Sequence, residues 1–219
     1  METELNDVEK YEKLNPFTAI WTRPRAAVRH VIEEKSSGFI FLLIVLAGFA
    51  AGLLSSLDSE QFLPVGGMIL IALFFGPIGV VVSTVIGAGI YLLIGKLFKG
   101  KGTYTEMFRA ILTGLIPQIW LIPIILLWML LLPETYFLQA DDMLFAEPDF
   151  LSLVFLIILG VISAWTFFVQ CKAVAEAHRF SAWKGFFVIM IPTVLVIGVI
   201  IGLIALFFTM LLPAVGGAN

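Results

Sequence analysis

The chain has 219 residues, 60% hydrophobic and 13% charged, with 13 Lys and Arg against 16 Asp and Glu and a formal net charge of −3. Soluble domains average roughly 45–50% apolar and about 25% charged residues, so this composition excludes an ordinary globular domain and predicts one membrane domain with no room for a soluble one. The basic residues are too few, and too mixed with acids, to indicate a nucleic-acid partner.

In chain order, residues 1–14 are acidic and expected to be mobile. Asn15-Pro16 reads as a helix cap followed by the proline favoured at the first helical position, with Phe17, Ile20 and Trp21 on one face. Thr22-Arg23-Pro24 restarts a helix in which Ala27, Val28, Val31 and Ile32 oppose Arg25, Arg29 and Glu33. Residues 15–36 are thus expected to form an interfacial amphipathic helix. Its apolar face would lie in the headgroup plane or pack on the chain's own spans.

Charge-free stretches then run over residues 36–57, 61–95, 110–133, 150–171 and 185–219. A crossing helix needs about 20 residues, which predicts spans at about 38–57, 77–97, 110–132, 150–171 and 186–212 within a membrane domain of 37–213. Pro77 lacks an N–H and clashes with the preceding turn, so Gly76-Pro77-Ile78-Gly79 is expected to break or kink a helix. That leaves 62–75 as a short re-entrant or interfacial helix. The first span lies behind a long polar segment and is expected to be an uncleaved anchor. The expected fold class is an all-α membrane protein: a five-span helical bundle with kinked helices and an N-terminal interfacial amphipathic helix.

The charges arbitrate the count of spans. Basic residues occur in three segments: Lys10 to Lys35, Lys96 to Arg109, and Lys172 to Lys184. Together with residues 1–9, those segments hold 13 positive and 9 negative charges, net +4, whereas residues 58–60, 134–149 and 213–219 hold 7 acids and no base, net −7. Lys and Arg near span ends stay cytoplasmic, and five spans put every base on one side. This predicts a bacterial plasma-membrane protein with its N-terminus cytoplasmic and its C-terminus extracytoplasmic.

Two further patterns concern packing. Lys96 to Pro117 and Lys172 to Pro192 each run from a basic turn past aromatics to an Ile-Pro inside the next span, as parallel repeats would. Gly48/Gly52, Gly198/Gly202, Ser83/Gly87 and Gly160/Ala164 are small-xxx-small pairs that mark internal contacts or a homodimer face, with internal packing expected in a five-span bundle.

Catalytic motifs of soluble enzymes are absent, and no enzyme, cofactor or metal site is expected. Cys171 alone excludes an intramolecular disulfide and is expected to be a buried small side chain. His30 and His178 each stand beside an Arg near a span end and are expected to be interfacial polar residues. The acidic loop 134–149 lacks cation-site spacing and is expected to be solvated. No ionisable residue lies well inside a span, which argues against an ion-coupled transporter. Ser83, Thr84, Thr113, Gln118, Ser163, Thr166 and Gln170 either tie helices together or line an intramembrane polar groove, with Pro117, Pro123 and Pro192 kinking the spans around it. Such a groove would suit a passive permease or lipid-translocating protein.

The stronger candidate surface is a cytoplasmic rim formed by the three basic segments. It would combine Trp21, Arg23, Arg25 and Arg29 with Lys101, Tyr104 and Arg109, and with Arg179, Trp183 and Lys184. Aromatics anchor at headgroup level while cations pair with phosphates. The expected partners are therefore membrane lipids with anionic headgroups, together with a protein partner; the same residues could also serve only to fix helix depth.

Three stretches together resemble the bacterial branch of the YIP1 family of integral membrane proteins. They are Asn15-Pro16-Phe17 through Trp21-Thr22-Arg23-Pro24-Arg25 to Arg29, Gly95-Lys96 with Gly100-Lys101-Gly102-Thr103-Tyr104, and Ala175-Glu176 through Phe180-Ser181-Ala182-Trp183-Lys184. The resemblance covers residues 15 to about 205. It implies a five-span helical domain with a cytoplasmic N-terminal region. Eukaryotic members are associated with Golgi and endoplasmic reticulum trafficking and with prenylated GTPases; for bacterial members the resemblance implies no settled activity.

Overall fold

The computed structural model describes residues 14–57, 63–137 and 150–216, the side chains of 210–216 excepted. The expected mobility of the acidic N-terminus and the character of the outer acidic loop fall on residues 1–13 and 138–149, outside the described residues.

The N-terminal arm begins where Asn15 accepts the Phe17 N–H through its side-chain oxygen at 3.0 Å, starting helix α1, Pro16–Thr22. Pro24 then opens helix α2, Pro24–Glu33. The residue before a proline is steered away from helical dihedrals, and Arg23 at φ −133° and ψ 58° divides the arm into two helices at the restart read from Thr22-Arg23-Pro24. Ile20, Ala27, Val28 and Val31 are fully buried, and α2 packs on α5 (Tyr104–Gly114) and α9 (Phe150–Ala177). The arm's apolar face is thus spent on the chain's own helices.

Ser36 caps α3, Ser37–Ser55, by accepting the Phe39 N–H at 3.4 Å. Helix α4 runs unbroken from Val65 to Leu97, through Pro77. This corrects the division into a short helix at 62–75 and a span at 77–97. The reason lies in its partner: α3 and α4 form the most extensive helix pair in the fold. A Cβ on Gly48 would overlap the Pro77 backbone, and one on Gly52 would come within 2.8 Å of the Ala72 Cα. Membrane helices tolerate proline where a neighbouring helix packs closely enough to hold the turn. With 33 residues, α4 is about 50 Å long against a hydrocarbon core of about 30 Å, so it tilts or projects beyond it.

Pro117 and Pro123 do break their span. Helices α5, α6 (Ile116–Ile119) and α7 (Ile122–Leu131) follow one another, with a 42° bend between Ile119 and Ile122. The span begins at Tyr104 rather than 110, because Thr103 and Glu106 form a reciprocal capping box. A short α8, Pro133–Tyr136, follows. Helix α9 extends to Ala177, and α10, Ala182–Gly216, continues through Pro192 and Pro213 rather than ending at 212. No strand occurs among the described residues. Among the described residues, helices α3, α4, α9 and α10 are each long and apolar enough to cross a membrane, and the bent α5–α7 set makes a fifth candidate where it counts as one span, four to five in all.

Two apolar clusters hold the bundle. One joins the arm to the basic ends of the spans through Ile20, Val28, Leu43, Met107, Leu112 and Val174. The other, toward the opposite end, centres on Trp128, which stacks on Phe155 at 5.3 Å and meets Tyr136 edge-on at 5.6 Å. Packing stops early on α10: residues 193–209 are all exposed. Gly48 and Gly52 therefore make an internal contact, whereas a Cβ on Gly160, Gly198 or Gly202 would meet nothing outside its own helix turn within 4 Å.

Candidate functional site at the basic rim

Helices α4 and α9 end in the same way. After Leu97 the chain turns at Lys99, φ 63°, with Lys99 N–H donating to Lys96 O and Gly100 N–H to Gly95 O. After Ala177 it turns at Arg179, φ 58°, with Arg179 N–H donating to Glu176 O and Phe180 N–H to Ala175 O. Both are Schellman turns with a non-glycine residue in the left-handed position. The two turns also touch, as Lys101 N–H donates to His178 O at 3.2 Å.

His178 sits at that junction. Its Nε2 lies 3.1 Å from the Tyr91 carbonyl and must donate to it, which leaves Nδ1 buried with no hydrogen-bond partner. Phe180 stacks on the ring at 5.1 Å. A Cβ on Gly95 or Gly100 would overlap the imidazole, and one on Gly102 would come within 2.6 Å of the Ala177 carbonyl. Gly95 and Gly100 are small because the histidine occupies their side-chain space, and Gly102 because the Ala177 carbonyl beside it does. Burial, with a contribution from Lys96, pushes the imidazole below its ordinary value against the opposing pull of the Tyr91 bond and Glu106.

Four arginines stitch the three basic segments together. Arg25 donates to the Phe180 carbonyl at 3.0 Å. Arg29 grips the Glu176 carboxylate with two nitrogens, Nε at 2.7 Å. Arg109 donates through Nη1 to the carbonyls of Val31, Ile32 and Lys35 at 3.0–3.3 Å, capping the C-terminal end of α2. Arg179 reaches Glu106 at 3.3 Å. Between these pairs lies a cavity of about 300 Å³ lined by Arg29, Ile32, Glu33, Glu106, Glu176 and Arg179. Its three carboxylates outnumber its two guanidiniums, so the cavity alone does not favour an anion.

The remaining rim residues face outward or lie against the bundle. Arg23, Lys101 and Lys184 are exposed, and Trp183 is 74% exposed. Tyr104 is exposed on one side while its hydroxyl donates to the Val85 carbonyl at 3.0 Å. Trp21 is half-buried and stacks on Trp165, so it joins the arm to α9. Glu106, Glu176 and His178 form the centre of the rim, and sequence reasoning had not placed them there. Glu106 carried a legible signal in the Thr103-x-x-Glu106 capping pattern.

The three stretches that carry the resemblance are thus the ones that meet at this rim. The family model described as Yip1 domain matches residues 18–206. The chain belongs to the Yip1 domain family. No curated protein and no solved structure gives a significant match.

Inside this Yip1 domain the polar span residues divide. Ser83, Thr84 and Gln170 meet, with Tyr91, in a cavity of about 310 Å³ that Gly87, Ile111, Leu115, Phe167 and Ile189 complete. Gln118, Ser163 and Thr166 lie outside it. Thr166 donates to the Ile162 carbonyl at 2.8 Å and Thr113 to the Arg109 carbonyl at 2.7 Å, each within its own helix. His30 stands apart from His178, with Nδ1 3.0 Å from a Glu34 carboxylate oxygen. No group of three or more metal-ligating side chains forms among the described residues.

Proposed function

We propose that this Yip1 domain is a non-enzymatic integral membrane protein that organises anionic lipids or a partner protein at its basic rim, on the cytoplasmic face of a bacterial plasma membrane. Yip1 domain proteins are in general non-enzymatic, which agrees with this reading. The observation that carries it is a division of labour among cations. Arg25, Arg29, Arg109 and Arg179 hold the rim together. Arg23, Lys101 and Lys184 are exposed, together with Trp183. Cations near the surface attract anionic headgroups at about 1 kcal/mol each while an exposed indole sits at headgroup level.

Replacing Arg23, Lys101 and Lys184 together by Gln tests this. The variant is expected to retain less anionic lipid, or less partner protein, through purification while its melting temperature stays unchanged. Equal retention, or a loss of stability alone, makes the rim a helix anchor and overturns the proposal.

A passive permease or lipid-translocating protein is the second reading, supported by the cavity that Ser83, Thr84 and Gln170 line. Flux of labelled lipids in vesicles with and without the protein separates the two.

A further inference from the structure

The intramembrane cavity has a chemistry of its own, distinct from the rim. It sits where α4, α5, α9 and α10 come together. Its key group is the Gln170 amide. The helix break after Gly114 turns the Leu115 N–H onto Leu112 and leaves the Ile111 carbonyl to be satisfied by Gln170 Nε2 at 3.0 Å. That bond fixes the amide, and its oxygen is left buried with no partner. A buried acceptor without a donor is costly anywhere and most of all at hydrocarbon depth. Thr84 and Tyr91 add two hydroxyls to the same lining.

Three features define what fits. The unpaired amide oxygen needs a donor and the neighbouring hydroxyls can supply or accept a bond, which a ligand hydroxyl satisfies in both directions. No Lys, Arg, His, Asp or Glu lines the cavity, so a phosphate or ammonium group there would be desolvated without a counter-charge. The rest of the wall is Ile111, Leu115, Phe167 and Ile189, which suits a hydrocarbon chain.

Depth and size narrow the ligand further. Gln170 lies eight residues before His178 along α9, about 12 Å below the rim at about 1.5 Å per residue. Tyr91 lies six residues before the end of α4, about 9 Å below it by the same measure. That is the level of glycerol and upper chains rather than of headgroups. About 310 Å³ equals the space of roughly ten waters, too little for a whole two-chain lipid. Ser83, also in the lining, is exposed, so a chain can leave past it into the bilayer.

We propose that this cavity binds the free glycerol hydroxyl and proximal chain of a neutral diacylglycerol-type lipid, with the hydroxyl donating to Gln170 Oε1.

The test uses the full chain in phosphatidylcholine nanodiscs doped with a photoactivatable diacylglycerol or a photoactivatable phosphatidylcholine of the same chains. The diacylglycerol probe is expected to label residues 83–91 or 167–170 about tenfold more strongly, as one added hydrogen bond can account for. Unlabelled diacylglycerol should compete. Gln170→Leu should remove that preference. Because Gln170 also holds the Ile111 carbonyl, Gly87→Val serves as a second variant. A Cβ at Gly87 meets nothing closer than 3.8 Å, so added bulk fills the cavity without forcing the backbone. It should abolish labelling while the melting temperature is kept. Equal labelling by the two probes, labelling that survives Gly87→Val, or no labelling in the cavity overturns the proposal and leaves water as the partner of Gln170.

Discussion

Arg109 Nη1 donates to the carbonyl of Lys35, 74 residues earlier in the chain, at 3.0 Å. The same nitrogen serves Val31 and Ile32, so one half-buried guanidinium satisfies carbonyls at the end of α2 that no helical N–H reaches. Arg109→Leu is expected to cost about 2–3 kcal/mol, the range for charged hydrogen bonds lost from a partly buried site. It should also release the arm, read as faster limited proteolysis between residues 14 and 36. An unchanged cleavage rate would show that apolar packing alone holds the arm.

Glycine substitutions should separate internal contacts from open faces. Gly48→Ala places a methyl group on the Pro77 backbone, which cannot rotate away. The expected loss is about 2–3 kcal/mol or more, as for an overpacked core. Gly198→Ala and Gly202→Ala meet no neighbour and should leave the melting temperature of the monomer unchanged. Thermal unfolding of the three variants in one detergent makes the comparison.

His178 predicts a specific pH dependence. The free imidazole titrates at about 6.5, and burial holds it lower in the folded chain. Above about pH 6.5 both states are neutral and stability is complete. As the pH falls below that value the unfolded chain takes up a proton that the folded chain resists, so stability declines and levels off only once folded His178 also protonates. Melting temperature should therefore fall between pH 7.5 and 5.5. The fall should be smaller in His178→Gln, and an identical slope in the variant would exclude His178 as the source.

Topology has its own test on a Cys171→Ser background. Single cysteines at Asp142 and Ala218 should react with an impermeant probe from outside. A cysteine at Lys99 should react only after permeabilisation. Any other pattern overturns the assignment of the rim to the cytoplasm.

The helical class and four of the expected spans were legible because they depend on composition along the chain, a property that needs no knowledge of contacts. Asn15-Pro16 likewise declared the start of α1, since a cap is a local device. Pro77 misled because its effect depends on a neighbour: only the close approach of Gly48 shows why α4 continues through it. The centre of the rim was hidden for the same reason. Gly95, Gly100 and Gly102 stood out as a motif, but the His178 ring and Ala177 carbonyl that explain them lie 75 or more residues later. In the intramembrane set, Ser83, Thr84 and Gln170 converge while Ser163 faces outward, a distinction set by helix rotation that polarity alone does not encode.

The exposed stretch of α10 from Thr193 to Thr209 leaves that helix, among its described side chains, moored at its first turns only. Its first turns dock beside α9, where a Cβ on Gly185 would overlap the Cys171 carbonyl. Beyond them no protein surface dictates its angle, and the thickness of the surrounding bilayer takes over that task. The helix is therefore expected to act as a pivoting mast, leaning further in a thin membrane and standing more upright in a thick one, while the rim at its foot stays in place.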